Sequence, residues 1–384
     1  MLKQILLRVM MGAAVLWLAQ LASCGGGSGT SPPPNDATLK DVPTNTRPGV
    51  LAISSSARLD PYPTTPEQVA QLANEAFSLA FNAGARGQMI TYRWSALEPD
   101  QHGYAQNKLN DLDADMHGGQ LFGMVQYLGI QIINTSKREM PSDIANLDFD
   151  NPTVMARFHA LLDKVITPYR GRIKYLSIGN EVDAYLRVNP AQWARYQRFY
   201  EDAARYAKTL DPGLLIGVTA TASGAVIESP DKLKALNAVS DVVILTYYPL
   251  DFNGGRKVTV KDPSVVAADF ASMLTVAGAK ALLLQEVGYP ASPVNESSED
   301  KQAAFVSQVF AAWQNAGGRI PFLNYFLLHD VTPAMCTEFE SYYGAIGLSG
   351  FKEFLCTLGL RQANGTERQA WPTLIYEAKL AHLP

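Results

Sequence analysis

Histidine is scarce in this chain. Its five members, His102, His117, His159, His329 and His382, show no metal-ligand spacing. Asp111, Asp113 and Asp115 alternate like the start of a calcium loop, but the obligatory Gly and the closing bidentate Glu are missing. They read as a solvated helix start, and no metal or other cofactor is expected. Charge of one sign is also lacking. A net charge of −4 carries no basic stripe for nucleic acid and no polybasic membrane patch. Beyond the N-terminus no apolar run reaches the ~18 residues that would span a bilayer. Heptads and 20–50-residue repeats are absent too. What is present is an ordinary globular composition, 47% hydrophobic and 18% charged, long enough for one large domain or two medium ones.

The first 24 residues read as a targeting segment. Lys3 and Arg8 supply positive charge, Met10 to Leu21 a short apolar region, and small residues close it. Leu21-Ala22-Ser23-Cys24 resembles a bacterial lipobox, which implies lipidation at Cys24 and a membrane attachment through that lipid in the cell envelope. An ordinary signal peptide with an incidental Cys is the plainer alternative. Residues 25–47 are rich in Gly, Ser, Pro, Asn and Thr, and read as a flexible tether. Two cysteines then remain, Cys336 and Cys356. In an exported protein an even remainder suggests one disulfide, against two buried free thiols.

From residue 48 to 384 one grammar repeats: a short apolar strand, then a helix. Strands are expected at Val50–Ile53, Met89–Tyr92, Gln131–Ile133, Ile173–Ile178, Leu214–Val218, Val242–Leu245, Leu282–Leu284 and Pro321–Leu327. The helix after the second strand is expected over Leu109–Tyr127, broken by Gly129. Five helices open with a capping residue followed by Pro, as in Thr65-Pro66 and Asn151-Pro152. Strands apolar on both faces are those of a covered parallel sheet. Eight strand–helix units predict an α/β fold, a (β/α)8 TIM barrel. An open doubly wound sheet is the alternative, but Ser54-Ser55-Ser56-Ala57 after the first strand is no Gly-rich phosphate turn.

Two strands end on acids. Tyr175–Ile178 runs into Gly179-Asn180-Glu181, and the apolar run from Ala281 into Glu286, Gly288 and Pro290. A carboxylate at the mouth of a buried strand costs free energy unless something uses it. In a barrel, the C-terminal strand ends carry the chemistry, and strands four and seven face each other across the mouth. Two carboxylates flanking a cleft are what glycoside hydrolysis needs, one protonated and one ionised. Tyr248 is placed to donate to Glu286 and keep it anionic, and the charge on Glu286 to raise Glu181. Trp94, Tyr247 and Tyr289 are expected to stack on sugar faces.

These motifs resemble those of clan A glycoside hydrolases, retaining (β/α)8 enzymes. Gly179-Asn180-Glu181 matches the segment that supplies the acid/base and the Asn that binds the sugar 2-hydroxyl. Gln285-Glu286-Val287-Gly288-Tyr289-Pro290 is similar to the nucleophile segment of endo-β-1,3-glucanases and endo-β-1,4-galactanases. Trp94-Ser95-Ala96-Leu97-Glu98-Pro99 with Gly103-Tyr104 recurs after strand two, and Tyr247-Tyr248-Pro249 resembles the galactanases' sixth strand. The resemblance implies retention, with Glu181 as acid/base and Glu286 as nucleophile, and a carbohydrate substrate. The chain departs from the pattern in having no Trp at the end of strand eight (Asn324-Tyr325-Phe326-Leu327) and Tyr289 where many relatives have Trp.

The remaining candidates each carry two readings. Arg93 is either a ligand of the nucleophile or of a sugar hydroxyl, or a structural ion pair. His329 either lines the site or is a satisfied hydrogen-bonding residue. Asp183 either tunes Glu181 or caps the next turn, and Glu98 reads as structural. The Cys336–Cys356 segment is either one wall of the cleft or a decoration. For the whole chain, the alternatives to hydrolysis are a non-catalytic surface glycan-binding lipoprotein and a transglycosylase using the same residues.

Overall fold

The structure, a computed structural model, describes residues 48–384 except 253, 254 and 256. The expected signal segment, Cys24 and the tether to residue 47 lie outside the described residues. Eight parallel strand positions close into a barrel, as the strand–helix grammar predicts. β1 (Val50–Ile53) pairs with β2 (Gly87–Arg93), and β2 with β3 (Val125–Asn134). β3 pairs with β4 (Ile173–Asn180). The fifth strand comes in two pieces. Leu215–Gly217 pairs back to β4, and Thr219–Thr221 pairs forward to the sixth strand, Val242–Tyr247. The seventh strand, Ala281–Val287, joins the sixth to the eighth, Phe322–Tyr325, which returns to β1 with Val50 opposite Phe322 and Ile53 opposite Tyr325.

The outer helices follow from local sequence. Pro66–Asn82 opens with a reciprocal capping box in which Thr65 and Gln68 satisfy each other's backbone N–H. Asn151 caps Pro152–Ile166, and Ser298 caps Glu299–Asn315. At Pro190 and Pro263 the expected helix start is a turn of 3-10 helix that leads into Trp193–Leu210 and Val266–Ala277.

The expected boundaries of the second helix and the third strand are wrong: the strand is Val125–Asn134, not Gln131–Ile133. The second helix is Gln106–Leu121, not Leu109–Tyr127, and Gly129 lies inside β3 rather than ending a helix. Gly123, at φ 62°, turns the chain out of the helix. Within β3, a Cβ on Gly129 would lie 3.0 Å from Thr91 Cγ2, so this glycine permits a close strand contact. Asp111 and Asp115 are likewise not solvated. Both are buried on the inner side of the helix, and Asp115 accepts from the Tyr92 hydroxyl at 2.7 Å.

The barrel interior is layered. Its lower part is apolar, with Ala52, Met89, Tyr127, Tyr175, Ile244, Leu283 and Phe322 in one buried cluster. Two residues further along several strands, the side chains become polar: Ser54, Ser177, Gln285 and Asn324, all buried. Successive inward positions on a strand are two residues apart. The switch from apolar to polar therefore marks the height at which packing stops and the mouth begins. A second, larger apolar layer lies between strands and helices and contains Trp94, Tyr247, Tyr289, Phe305 and Trp313.

Candidate active site

Glu181 and Glu286 come together at the mouth. On β4, Gly179 adopts φ 93°, and Glu181 itself sits in the left-handed region at φ 47° and ψ 45°. A side chain at Gly179 would meet the Tyr196 hydroxyl at 2.4 Å and Val182 Cγ1 at 2.5 Å. The glycine therefore lets the outer helix press its Tyr196 hydroxyl onto the Ile178 carbonyl, 2.8 Å away. A non-Gly residue held at positive φ costs on the order of 1–3 kcal/mol. At Glu181 that geometry turns the carboxyl toward the sixth and third strands. Its two oxygens accept from Thr246 Oγ1 and Thr135 Oγ1, each at 2.7 Å.

On the seventh strand, regular pairing with the sixth is interrupted between Leu284 and Glu286. A bulge re-aims side chains. Here consecutive residues, Gln285 and Glu286, both reach the mouth instead of pointing to opposite faces. The Tyr248 hydroxyl donates to Glu286 Oε2 at 2.7 Å, as expected, and Gln285 Nε2 donates to Oε1 at 3.2 Å. Gly288 makes room for this arrangement: a Cβ there would lie 2.5 Å from the Phe326 carbonyl and 2.8 Å from Tyr248 Cε1.

The two carboxyls differ electrostatically. Burial pushes Glu181 up to about 7, and the charge on Glu286 adds to the rise. The bonds from Thr246 and Thr135 oppose it. Burial also raises Glu286, but the bonds from Tyr248 and Gln285 pull it back toward ionisation. The two carboxyls are thus both raised by burial, and the donors on Glu286 oppose the rise there. Asp183 accepts from the Thr221 N–H at 2.8 Å and hydroxyl at 2.7 Å, so it fastens the following turn, and its charge adds slightly to the rise at Glu181.

Asn180 is buried next to them. Its Nδ2 donates to Asn134 Oδ1 at 2.9 Å, and its Oδ1 accepts from Gln285 Nε2 at 2.6 Å. The Cys336–Cys356 disulfide is formed, with Cα atoms 5.9 Å apart. The segment it closes is a wall of the mouth. Tyr342 accepts from Asn134 at 3.1 Å and donates to Glu139, Phe354 packs edge-on against Tyr248 with ring centres 5.4 Å apart, and Tyr343 feels both carboxylates.

Several expected site residues lie elsewhere. Trp94 is fully buried behind β2, where its indole N–H donates to Glu98 at 2.7 Å and its ring meets Phe158. Glu98 in turn binds Arg157, a structural role as expected. Tyr247 and Tyr289 are buried between barrel and helices, both stacked on Phe305, and donate to Asp269 and the Lys261 carbonyl. Strand alternation is the reason: Thr246 and Tyr248 take inward positions, so Tyr247 must point out. These three aromatic rings cannot stack on a sugar in the mouth. His329 is buried, and its Nδ1 lies 2.7 Å from the Ser56 carbonyl. Burial lowers it to about 4, so it is neutral and ties the loops after β1 and the eighth strand. Arg93 pairs with Glu139 at 3.6 Å, not with Glu286, and its buried Nε has no hydrogen-bond partner.

Sequence reading assigns no role to Thr135, Thr246 or Gln285, whereas Tyr343 lies in the segment read either as a wall of the cleft or as a decoration. For Gln285 there was a signal, a long polar side chain inside the apolar run from Ala281. Thr135 had none, because it follows a strand whose length was misjudged.

No family model matches the chain, and no curated protein is similar to it in sequence. Solved structures are similar in fold. A GH5_18 protein from Bifidobacterium longum, bound to Manβ1-4GlcNAc, superposes with a TM-score of 0.64 at 15% identity, covering 87% of this chain and 78% of that one. For a GH5_18 protein from Streptomyces cattleya bound to GlcNAc the values are 0.63, 15%, 79% and 73%. For xylanase 10B from Thermotoga maritima they are 0.57, 13%, 87% and 95%. What this chain shares with these glycoside hydrolases is the parallel (β/α)8-barrel fold.

Proposed function

We propose that the protein is a retaining glycoside hydrolase that cleaves β-glycosidic bonds in an oligosaccharide or polysaccharide. The observation that carries this reading is the pair at the mouth: Glu181 and Glu286 brought together from strands four and seven, each held by its own hydroxyl donors. In the first step the Glu286 carboxylate attacks the anomeric carbon while Glu181 gives its proton to the leaving oxygen. The glycosidic C–O bond breaks and a glycosyl ester forms. In the second, Glu181, now a carboxylate, takes a proton from water, and that water displaces Glu286 with a second inversion. Asn180, whose second amide hydrogen is not used by Asn134, is placed to hold the sugar beside the reacting carbon.

The motifs after strands six and seven favour β-1,4-galactan or β-1,3-glucan as substrate class, and the fold neighbours add β-mannosides and xylan to the panel worth assaying. On that panel, Glu286→Gln is expected to lose at least ~10³-fold in kcat. Wild-type turnover by this variant would end the nucleophile assignment, and NMR of the first-formed anomer would separate retention from inversion. We further read the chain as a lipoprotein of the cell envelope, anchored through Cys24 and held off the membrane by residues 25–47.

A further inference from the structure

We propose that Gln285 is a positioning residue that sets the orientation of Glu286 and Asn180 together. This inference rests on the pair assignment above and adds a residue to it.

The argument is one of hydrogen-bond accounting. Gln285 is buried, at 1% exposure. Its Oε1 accepts from the Tyr127 hydroxyl and from Thr219 Oγ1, both at 2.5 Å. Its Nε2 donates to Asn180 Oδ1 at 2.6 Å and to Glu286 Oε1 at 3.2 Å. Both amide hydrogens and both oxygen lone pairs are therefore used. The reverse orientation fails. It would put the amide oxygen against the Glu286 carboxylate and against Asn180 Oδ1, whereas the two hydroxyls can accept as well as donate. The Glu286 carboxylate thus decides which way the amide faces, and Tyr127 and Thr219 donate to its oxygen from below. Ser177 holds Thr219 in turn at 2.7 Å. The bulge after Leu284 makes the arrangement possible, because it lets residues 285 and 286 reach the mouth side by side.

An N–H donated to a carboxylate favours its charged form. The other titratable groups facing Glu286 are Glu181 from β4, Tyr248 from the sixth strand, Tyr127 from β3 and Tyr343 from the disulfide-closed segment, with Asp183 behind Glu181. Arg93 is engaged with Glu139 instead. Within this set, Gln285 is the neutral donor that links Glu286 to Asn180.

The test uses Gln285→Glu, which keeps an acceptor for Tyr127 and Thr219 but replaces the amide donor. Gln285→Met removes the donor without adding charge, and Tyr127→Phe loosens the amide while keeping its shape. The first readout is the 13C carboxyl titration of Glu286 in labelled protein, assigned by its loss in Glu286→Gln. The second is the acid limb of the kcat/KM–pH profile. The expected result is a Glu286 midpoint raised by about one pH unit in Gln285→Glu and Gln285→Met, with a smaller rise in Tyr127→Phe. The acid limb should move with it. A residue that only filled space would shift melting temperature and leave both midpoints in place. Unchanged midpoints in all three folded variants would overturn the proposal. The titration needs no turnover. A raised midpoint in a protein inert toward every β-glycan would support the role of Gln285 and count against the hydrolase reading alone.

Discussion

Glu181 gathers the main cost of the site in one residue. Its backbone is left-handed at φ 47°, and its carboxyl is buried beside another acid. The proton it keeps up to about pH 7 has a consequence for stability. A carboxyl whose folded pKa lies above its unfolded value stabilises the fold fully below the unfolded value, near 4.5, and that contribution is lost as pH rises through about 7. Glu181→Gln is uncharged throughout. It is expected to melt about 2–4 °C above wild type at pH 8.5 and at much the same temperature as wild type at pH 4.5, as calorimetry at the two pH values would read. In activity, the same variant should lose the basic limb of the pH profile and fall by roughly 10²–10⁴-fold on substrates with poor leaving groups. Glu181 and Glu286 were both readable in the chain as acids at the ends of apolar strands. The hydroxyls that bond to them were only partly so: Tyr248 stands in a motif, whereas Thr135 and Thr246 are small polar residues without a sequence signature.

Among the elements, the disulfide-closed segment has the most direct hold on the mouth. Its helices, Pro333–Tyr343 and Phe351–Cys356, bring Tyr342 to Asn134 and Glu139, and Phe354 to Tyr248. The two cysteines are 20 positions apart. Closing a loop of that length restricts the unfolded chain by about 3 kcal/mol in the chain-entropy account. Because the segment also positions Phe354 beside Tyr248, a paired Cys336→Ser and Cys356→Ser variant should raise KM several-fold while the barrel stays folded. Steady-state kinetics alongside far-UV circular dichroism would check this, and an unchanged KM would make the segment a bystander. The elements were legible to different degrees. Short apolar strands and Pro-started helices announced themselves locally. The helix after β2 did not, since its end depends on Gly123 and its continuation as strand on the close contact between Gly129 and Thr91.

For the molecule as a whole, the barrel is a platform with a packed floor and a polar rim. The apolar cluster around Tyr127, Tyr175 and Phe322 fills the lower interior, so access to Glu181 and Glu286 is from the mouth. The proposed anchor at Cys24, some twenty residues before the barrel in sequence, would leave such a mouth free to face a polymer. Cys24→Ala should shift the protein from the membrane fraction to the soluble fraction after cell lysis, with turnover per molecule unchanged. Equal membrane retention of the variant would sink the lipid-anchor reading.

The chain alone determined the repeat of strand and helix, the two acids at strand ends, and the partnership of Tyr248 with Glu286, because each is written in a few neighbouring residues. Only the tertiary structure decided which aromatic rings belong to the mouth. Trp94, Tyr247 and Tyr289 stand at strand ends, as the acids do, yet strand alternation and helix packing turn them into the outer core. The pairing of Gln285 with Asn180 was likewise beyond local reading. It joins positions 105 residues apart, and it exists because a bulge brings the Gln285 amide to face both Asn180 Oδ1 and the Glu286 carboxylate.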